Sequence, residues 1–192
     1  MRKLTLADIR DLREYERERD AFRAEIIATK RRRRIALGDL MTIVFENAAT
    51  MRFQIQEMAR AERMLRDEQI AHEVETYNEL IPNDGELSGT LFIEIDDPQS
   101  LAYWLPRLVG VHEHVHLEVG SEVVTGRAQD VERLTRSEIT TTVHYLKFAL
   151  TDDQQRAFGD APVRLLVDHP EYQAATLLTD EQRDELLGDL AA

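Results

Sequence analysis

The 192-residue sequence contains no cysteine, and this absence excludes several kinds of chemistry. Without cysteine the chain forms no disulfide, holds no thiolate zinc site or cysteine-ligated iron–sulfur cluster, and offers no cysteine nucleophile. Long apolar runs are missing too, since no stretch approaches the roughly 18 consecutive apolar residues of a membrane span. The first residues lead into charged sequence, so we expect no signal peptide, no membrane partner and a cytoplasmic location.

Common catalytic motifs are also absent. The sequence has no P-loop, GxGxxG, GxSxG or HExxH motif, and it lacks the two helical Glu-x-x-His repeats of a di-iron bundle. The motifs therefore leave open whether the protein is an enzyme. The composition, 43% hydrophobic and 32% charged, is typical of a folded, soluble chain, and its length fits one domain spanning residues 1–192.

Basic residues are concentrated at the start of the chain. Residues 1–34 hold 12 Lys+Arg against 7 Asp+Glu, a net +5, whereas residues 35–192 hold 12 against 30, a net −18. Such asymmetry indicates either an N-terminal helix that folds against an acidic body or a basic arm for an anionic partner. The basic run 30–34 has no interleaved aromatic residue, and the net −18 of residues 35–192 opposes the approach of a polyanion more than the local +5 favours it. We therefore expect no appreciable nucleic-acid binding at physiological salt.

The first eighty residues are predicted to be mainly helical. A hydrophobic period of 3.6 predicts helices over about 14–32 and 48–72. Between them, residues 34–37 and 41–45 are predicted to form a short hairpin.

Residues 81–192 are predicted to be mainly strands. Alternating patterns predict strands over 111–119 and 139–150, among others, and short turns rather than helical crossovers connect them. The fold predicted for the whole chain is a single α+β domain in which N-terminal helices cover a mainly antiparallel sheet.

The histidines are the first candidate site residues. His112, His114 and His116 alternate in the predicted strand 111–119, and His-x-His on one strand face is a workable pair of metal ligands. The simpler interpretation is that they line the solvent-facing side of that strand. His144 and His169, in later strands, are either structural or site-lining histidines.

Glu62 interrupts the apolar stripe of the second predicted helix, just before Leu65. A carboxylate buried there must be paired, hydrogen-bonded, metal-bound or protonated. Arg19, on the apolar face of the first long helix, is its predicted partner in a structural ion pair, and a functional site is the alternative. Glu46 and Glu57 add further carboxylates nearby along the chain.

Seven short strings, in order over essentially the whole chain, carry a resemblance to a known family. They are Ile35-Ala36-Leu37-Gly38, Phe45-Glu46-Asn47, Gln54-Ile55-Gln56-Glu57-Met58, Tyr77-Asn78-Glu79-Leu80-Ile81-Pro82, Leu91-Phe92-Ile93-Glu94-Ile95, Val143-His144-Tyr145 and Asp168-His169-Pro170-x-Tyr172. In these strings the sequence resembles the bacterial domain-of-unknown-function family numbered 3501. His112 and His116 depart from the family pattern, whereas His114 matches it.

The resemblance implies a redox setting rather than a reaction. Genes of this family commonly lie beside those of rubrerythrin-like di-iron proteins and iron–sulfur oxidoreductases, which implies an accessory or binding protein that acts with such a redox partner in oxidative stress or electron transfer. A metal-binding protein or metal-dependent enzyme is the alternative, and no other cofactor is predicted. Its ligands to iron, manganese or zinc would come from His114, His144, His169, Glu46, Glu57 and Glu62. Anion or nucleic-acid binding through residues 30–34 is the second alternative.

Overall fold

A computed structural model describes residues 1–129, 135–136 and 139–190 of the chain. The helices are α1 Leu12–Arg33, α2 Ala48–Ala61, α3 Asp67–Asn78, α4 Pro98–Trp104, α5 Asp152–Asp160 and α6 Asp180–Leu190, with 3-10 turns at Leu6–Asp8 and Val111–Glu113. The strands are β1 Arg34–Leu37, β2 Met41–Glu46, β3 Glu86–Ile93, β4 Val115–Val119, β5 Glu122–Thr125, β6 Arg127–Ala128, β7 Thr135–Arg136, β8 Ile139–Thr140, β9 Val143–Ala149, β10 Val163–His169 and β11 Tyr172–Leu177. None of the helices in these ranges has the length and apolar character needed to cross a membrane.

The strands form two larger sheets. The first sheet has the order β1-β2-β3-β9-β6 and the second has the order β11-β10-β4-β5, while β7 pairs with β8. All these pairs are antiparallel, so the predicted α+β fold with a mainly antiparallel sheet is confirmed. The predicted hairpin is also present, and it extends the first sheet because β2 pairs with β3.

The main hydrophobic core lies between the two sheets. β4 buries Val115, Leu117 and Val119 in that core, where they belong to the same cluster as Leu91 and Phe148 of the first sheet. The alternation of β4 requires this arrangement, since every second side chain points to the same face of a strand. Burying an apolar side chain of this size stabilises the fold by about 1.5–3 kcal/mol.

The opposite face of the first sheet is covered by helices, as predicted. All six residues of β2 are buried, because one face meets the core between the sheets and α1 packs near the other. The helix begins at its N-cap Asp11, whose carboxylate accepts hydrogen bonds from the backbone N–H groups of Arg13 and Glu14. Both faces of this strand are therefore shielded from solvent, polar residues included.

The basic run at the end of α1 pairs with acidic residues of α6. The Arg33 guanidinium donates to both carboxylate oxygens of Asp189 at 2.7 and 2.8 Å, and its Nε donates to Glu185 at 2.8 Å. Arg32 also donates to Glu185, at 2.7 Å. Of the two interpretations of the charge asymmetry, these contacts support the one in which the N-terminal helix folds against the acidic body.

The prediction of one continuous helix over 48–72 is wrong. α2 ends at Ala61, Arg63 adopts a positive φ of 52°, and α3 begins only at Asp67. Leu65 lies in the connection and is 79% exposed. The apolar period continues across this break in the sequence although the helix does not.

Candidate functional site

A cavity of about 220 Å³ lies between the first sheet and the helices that cover it. Its floor consists of side chains that β2, β3 and β9 direct away from the core between the sheets. These floor residues are Glu46, Thr90, Phe92, Val143 and Tyr145. In the strand register Thr90 pairs with Tyr145 and Phe92 pairs with Val143, so polar and apolar positions alternate across the floor.

The helices supply the other wall of this cavity. Lys30 comes from α1, Met51 and Gln54 come from α2, and Tyr77 and Leu80 come from α3 and the turn after it. Burial raises the pKa of the Tyr77 hydroxyl above its usual value, so this group stays a neutral O–H. The lining thus combines neutral hydrogen-bonding groups, apolar side chains and two opposite charges.

Glu46 is the most unusual member of the lining. It ends β2 on the helix-covered face, and its side chain is only 5% exposed. Its Oε1 accepts a hydrogen bond from the Thr90 hydroxyl at 3.0 Å, but its buried Oε2 has no hydrogen-bond donor within the described chain. The nearest cation is Lys30, whose Nζ lies 4.0 Å from Oε2 and whose side chain is 33% exposed.

Glu57 lies outside this cavity in a closed set of hydrogen bonds. Arg19 donates to both of its carboxylate oxygens at 2.8 Å, and the Tyr15 hydroxyl donates to Oε1 at 2.6 Å. The hydrogen bonds from Arg19, together with that from Tyr15, lower the pKa of Glu57 to about 2 although partial burial opposes the shift. Both of its oxygens are therefore engaged in holding α1 on α2.

The prediction that Glu62 is buried and paired with Arg19 is wrong. Glu62 is exposed and caps the C-terminus of α2, where the helix has already left the packed region. Arg19 pairs instead with Glu57, which precedes Glu62 by five residues on the same helix.

The prediction that His112, His114 and His116 share one strand face is also wrong. Val111–Glu113 forms a 3-10 turn after Gly110, which has a φ of 85°, so β4 begins only at Val115. His112 is therefore buried, and it stacks on His144 of β9 with ring centroids 5.5 Å apart.

His144 is fully buried beside the core. Its Nε2–H faces the carbonyl of Thr141 at 3.0 Å and the hydroxyl of Thr140 at 3.1 Å, which leaves Nδ1 unprotonated and without a partner among the described residues. Burial lowers the pKa of His144 to about 4, and the neighbouring His112 adds to this shift. Burial lowers the pKa of His112 as well, so both rings are neutral at physiological pH.

His114 and His116 share an exposed carboxylate on β10. His114 Nδ1 and His116 Nε2 lie 3.0 and 3.1 Å from the same oxygen of Asp168, and hydrogen bonding to His114 is the main reason that the pKa of Asp168 is lowered. His169 is buried nearby, donating from Nε2 to the Val109 carbonyl and accepting the Glu171 N–H at Nδ1. Both nitrogens of His169 are therefore occupied.

The structure does not bring the six predicted metal ligands together. Glu46 lies at the cavity, Glu57 pairs with Arg19, and Glu62 is exposed at the surface. The histidines lie in the second sheet and at its border with the first. Over 1–129 and 139–190, no group of three or more His, Asp or Glu side chains is placed to hold a metal ion. The metal hypothesis therefore receives no geometric support in this part of the chain.

Sequence reasoning identified Glu46 but missed most of its neighbours. The alternation of β3 and β9 places Thr90 and Tyr145 on one face of the sheet. Whether that face lines a cavity depends on the helices that cover it. Lys30 lies in the basic run, and the family strings contain Gln54, Tyr77, Leu80, Phe92, Val143 and Tyr145 without indicating that these residues meet. The sequence signal was a polar face on β3, where Ser88 and Thr90 follow Glu86 on one side of a strand whose other side carries Leu87, Leu91 and Ile93.

Comparisons with known proteins identify relatives of this chain without giving a function. No curated protein matches it. A crystal structure of a novel protein of unknown function from Burkholderia pseudomallei K96243 is 32% identical and superposes with a TM-score of 0.91, covering 98% of this chain and 100% of the other. The family model described as "Protein of unknown function (DUF3501)" matches residues 3–190. The predicted family resemblance is thereby confirmed, and the chain belongs to the DUF3501 family.

Proposed function

We propose that this protein binds a small polar molecule in the cavity beside Glu46. The observation that supports the proposal is the Oε2 atom of Glu46, which is buried at the cavity without a hydrogen-bond donor among the residues that the structure describes. A buried polar atom that lacks a partner costs free energy, and a ligand that supplies an N–H or O–H donor removes that cost.

The size and lining of the cavity fit a compact ligand. Its volume of about 220 Å³ is below the roughly 300–1,000 Å³ of sites for drug-sized molecules, while its mixture of apolar walls and a few polar groups is typical of ligand sites. A larger depression of about 450 Å³ runs along α1 and α2. Its Tyr15 and Gln56 side chains are already hydrogen-bonded within the protein, to Glu57 and to the backbone of Arg10.

The same lining favours the binding of a small polar molecule over the binding of a metal ion. In the described part of the chain, the residues around the cavity include one carboxylate and no histidine. Zinc sites use three or four protein ligands and calcium sites use more, so Glu46 alone does not make such a site.

A cavity-filling substitution tests the proposal. Val143→Phe places a ring in the cavity floor, and Val123→Phe, at a 56% exposed position on β5, is the matched control. The probes are alanine, propylamine, propanoate, propanamide and glycerol, and binding is detected by saturation-transfer-difference NMR. We expect at least one of them to bind the wild type and Val123→Phe and not to bind Val143→Phe. If no molecule binds the wild type, or if Val143→Phe binds as the wild type does, the proposal is wrong.

We further propose that this binding activity serves a redox partner in the cytoplasm, as the family resemblance implies. The partner would be a rubrerythrin-like or iron–sulfur protein, in oxidative stress or electron transfer. Sedimentation of the purified protein mixed with a purified rubrerythrin-like protein tests the partnership, and two independently sedimenting species would contradict it.

A further inference from the structure

We infer that the ligand of this cavity is a small zwitterion, with a primary ammonium group at one end and a carboxylate at the other. This inference rests on the proposed function and specifies the chemical class of its ligand. It starts from the two opposite charges in the lining, Glu46 and Lys30, and from the distance between them.

The Lys30–Glu46 pair is too long for a hydrogen bond. The separation between Nζ and Oε2 is 4.0 Å, and the buried Oε2 has no hydrogen-bond partner among the described residues. A ligand ammonium would donate to Oε2, and a ligand carboxylate would accept from Nζ. One long ion pair would thereby be replaced by two charge-assisted hydrogen bonds, which are among the strongest that proteins form.

The depths of the two charges define the orientation of the ligand. The Glu46 side chain is 5% exposed and the Lys30 side chain is 33% exposed, so the carboxylate lies deeper than the ammonium. The ligand would therefore enter with its ammonium first and leave its carboxylate nearer the surface. Met51, Leu80 and Phe92 provide apolar contacts for a short carbon chain between these groups.

Charge balance argues against ligands of other classes. Glu46 and Lys30 together carry no net charge, so a monovalent cation or anion would leave one charge uncompensated in a partly buried site. A neutral alcohol or amide keeps the charges balanced, but its hydrogen bonds to Oε2 and Nζ would carry a charge on the protein side only and would therefore be weaker than those of a zwitterion. A zwitterion compensates both charges.

Affinity measurements on matched molecules test the inference. Alanine and 3-aminopropanoate are the zwitterions, and propylamine, propanoate and propanamide carry a positive charge, a negative charge and no charge. We expect at least one zwitterion to bind the wild type about tenfold more tightly than each of the other three, as measured by NMR titration.

Two isosteric variants separate the roles of the two charges. Glu46→Gln should weaken the zwitterion and propylamine about tenfold while leaving propanoate unchanged, and Lys30→Met should weaken the zwitterion and propanoate while leaving propylamine unchanged. Glu62→Gln and Arg31→Met, at exposed positions, are the matched controls. If Glu46→Gln does not fold, the Lys30→Met comparison still decides the outcome.

The outcomes distinguish this inference from the proposed function. If propylamine, propanoate or propanamide binds as tightly as both zwitterions, and Val143→Phe abolishes that binding, the ligand class is wrong and the binding function stands. If a zwitterion binds but neither variant weakens it, the assigned charges are wrong. If no molecule binds the wild type, both proposals fail.

Discussion

Removal of the Asp189 carboxylate is the perturbation for which the structure predicts the largest loss of stability. The Asp189 carboxylate accepts hydrogen bonds from both terminal nitrogens of Arg33. The side chains of Asp189 and Arg33 are 5% and 2% exposed. Burial lowers the pKa of Arg33, but its hydrogen bonds to Asp189 and Glu185 raise it more, so the net shift is upward and the guanidinium stays charged. Asp189→Ala therefore leaves a buried cation with Glu185 as its remaining carboxylate partner.

The expected cost follows from the asymmetry of buried ion pairs. Breaking such a pair from one side costs about 3–5 kcal/mol, because the remaining charge stays buried without full compensation. We expect a loss at the lower end of this range, because the Glu185 carboxylate still accepts a hydrogen bond from Arg33 Nε at 2.8 Å and compensates part of the charge. Replacing both partners, as in Arg33→Met with Asp189→Leu, should cost less than about 1 kcal/mol, because no buried charge is left.

Urea unfolding followed by circular dichroism measures these free energies. Asp153→Ala is the control, because Asp153 and its partner Arg156 are 88% and 73% exposed, and its loss should stay below about 0.5 kcal/mol. An Asp189→Ala loss below about 1 kcal/mol, with an unchanged dependence on urea, would refute the reasoning. A double variant as unstable as Asp189→Ala alone would refute the argument from buried charge.

Three other predictions concern histidine burial, the Arg19 pair and the basic run. The pKa of His144 is about 4 in the fold against an ordinary 6.5. Its contribution to the free energy of unfolding is therefore fully present above pH 6.5 and falls by about 3 kcal/mol as the pH is lowered to 4. Urea unfolding at several pH values should show this loss in the wild type and not in His144→Leu. Glu57→Ala should cost about 1–3 kcal/mol in the same assay, because the Arg19 and Tyr15 donors lose their acceptor, whereas Glu62→Ala should cost under about 0.5 kcal/mol, and equal losses would contradict the assigned pairing. Fluorescence anisotropy with labelled single- and double-stranded DNA and RNA at about 0.15 M salt should detect no micromolar binding; binding that is lost when Arg31–Arg34 are replaced by Ala would contradict this expectation.

Local features of the fold were predictable from the sequence where neighbours along the chain decide them. The hairpin of β1 and β2 follows from two apolar segments around Gly38, whose φ is 65°. Thr151 and Thr179 begin helices because each hydroxyl accepts the backbone N–H three residues later. These interactions span a few residues, so composition and spacing identify them.

Periodicity failed where the chain changes direction without changing its pattern. The 3.6 period continues through Glu62 and Leu65, but the positive φ of Arg63 ends the helical region and leaves both side chains outside the packed surface. The alternation of period 2 likewise includes His112, although a 3-10 turn withdraws it from β4 and buries it against His144. A pattern indicates which faces are apolar, but the path of the backbone decides which faces meet.

The α+β class and the hairpin of β1 and β2 follow from the amino-acid sequence alone, whereas the charge asymmetry left two interpretations open. Which charges pair depends on the packing of segments that lie far apart in the chain: Arg33 and Asp189 are 156 residues apart, and Arg19 and Glu57 are 38 residues apart. The cavity has the same origin, since its lining comes from three strands and three helices that meet only when the first sheet is covered. Local propensity is a property of neighbouring residues, whereas the burial of Glu46 and the position of Lys30 depend on packing between distant segments.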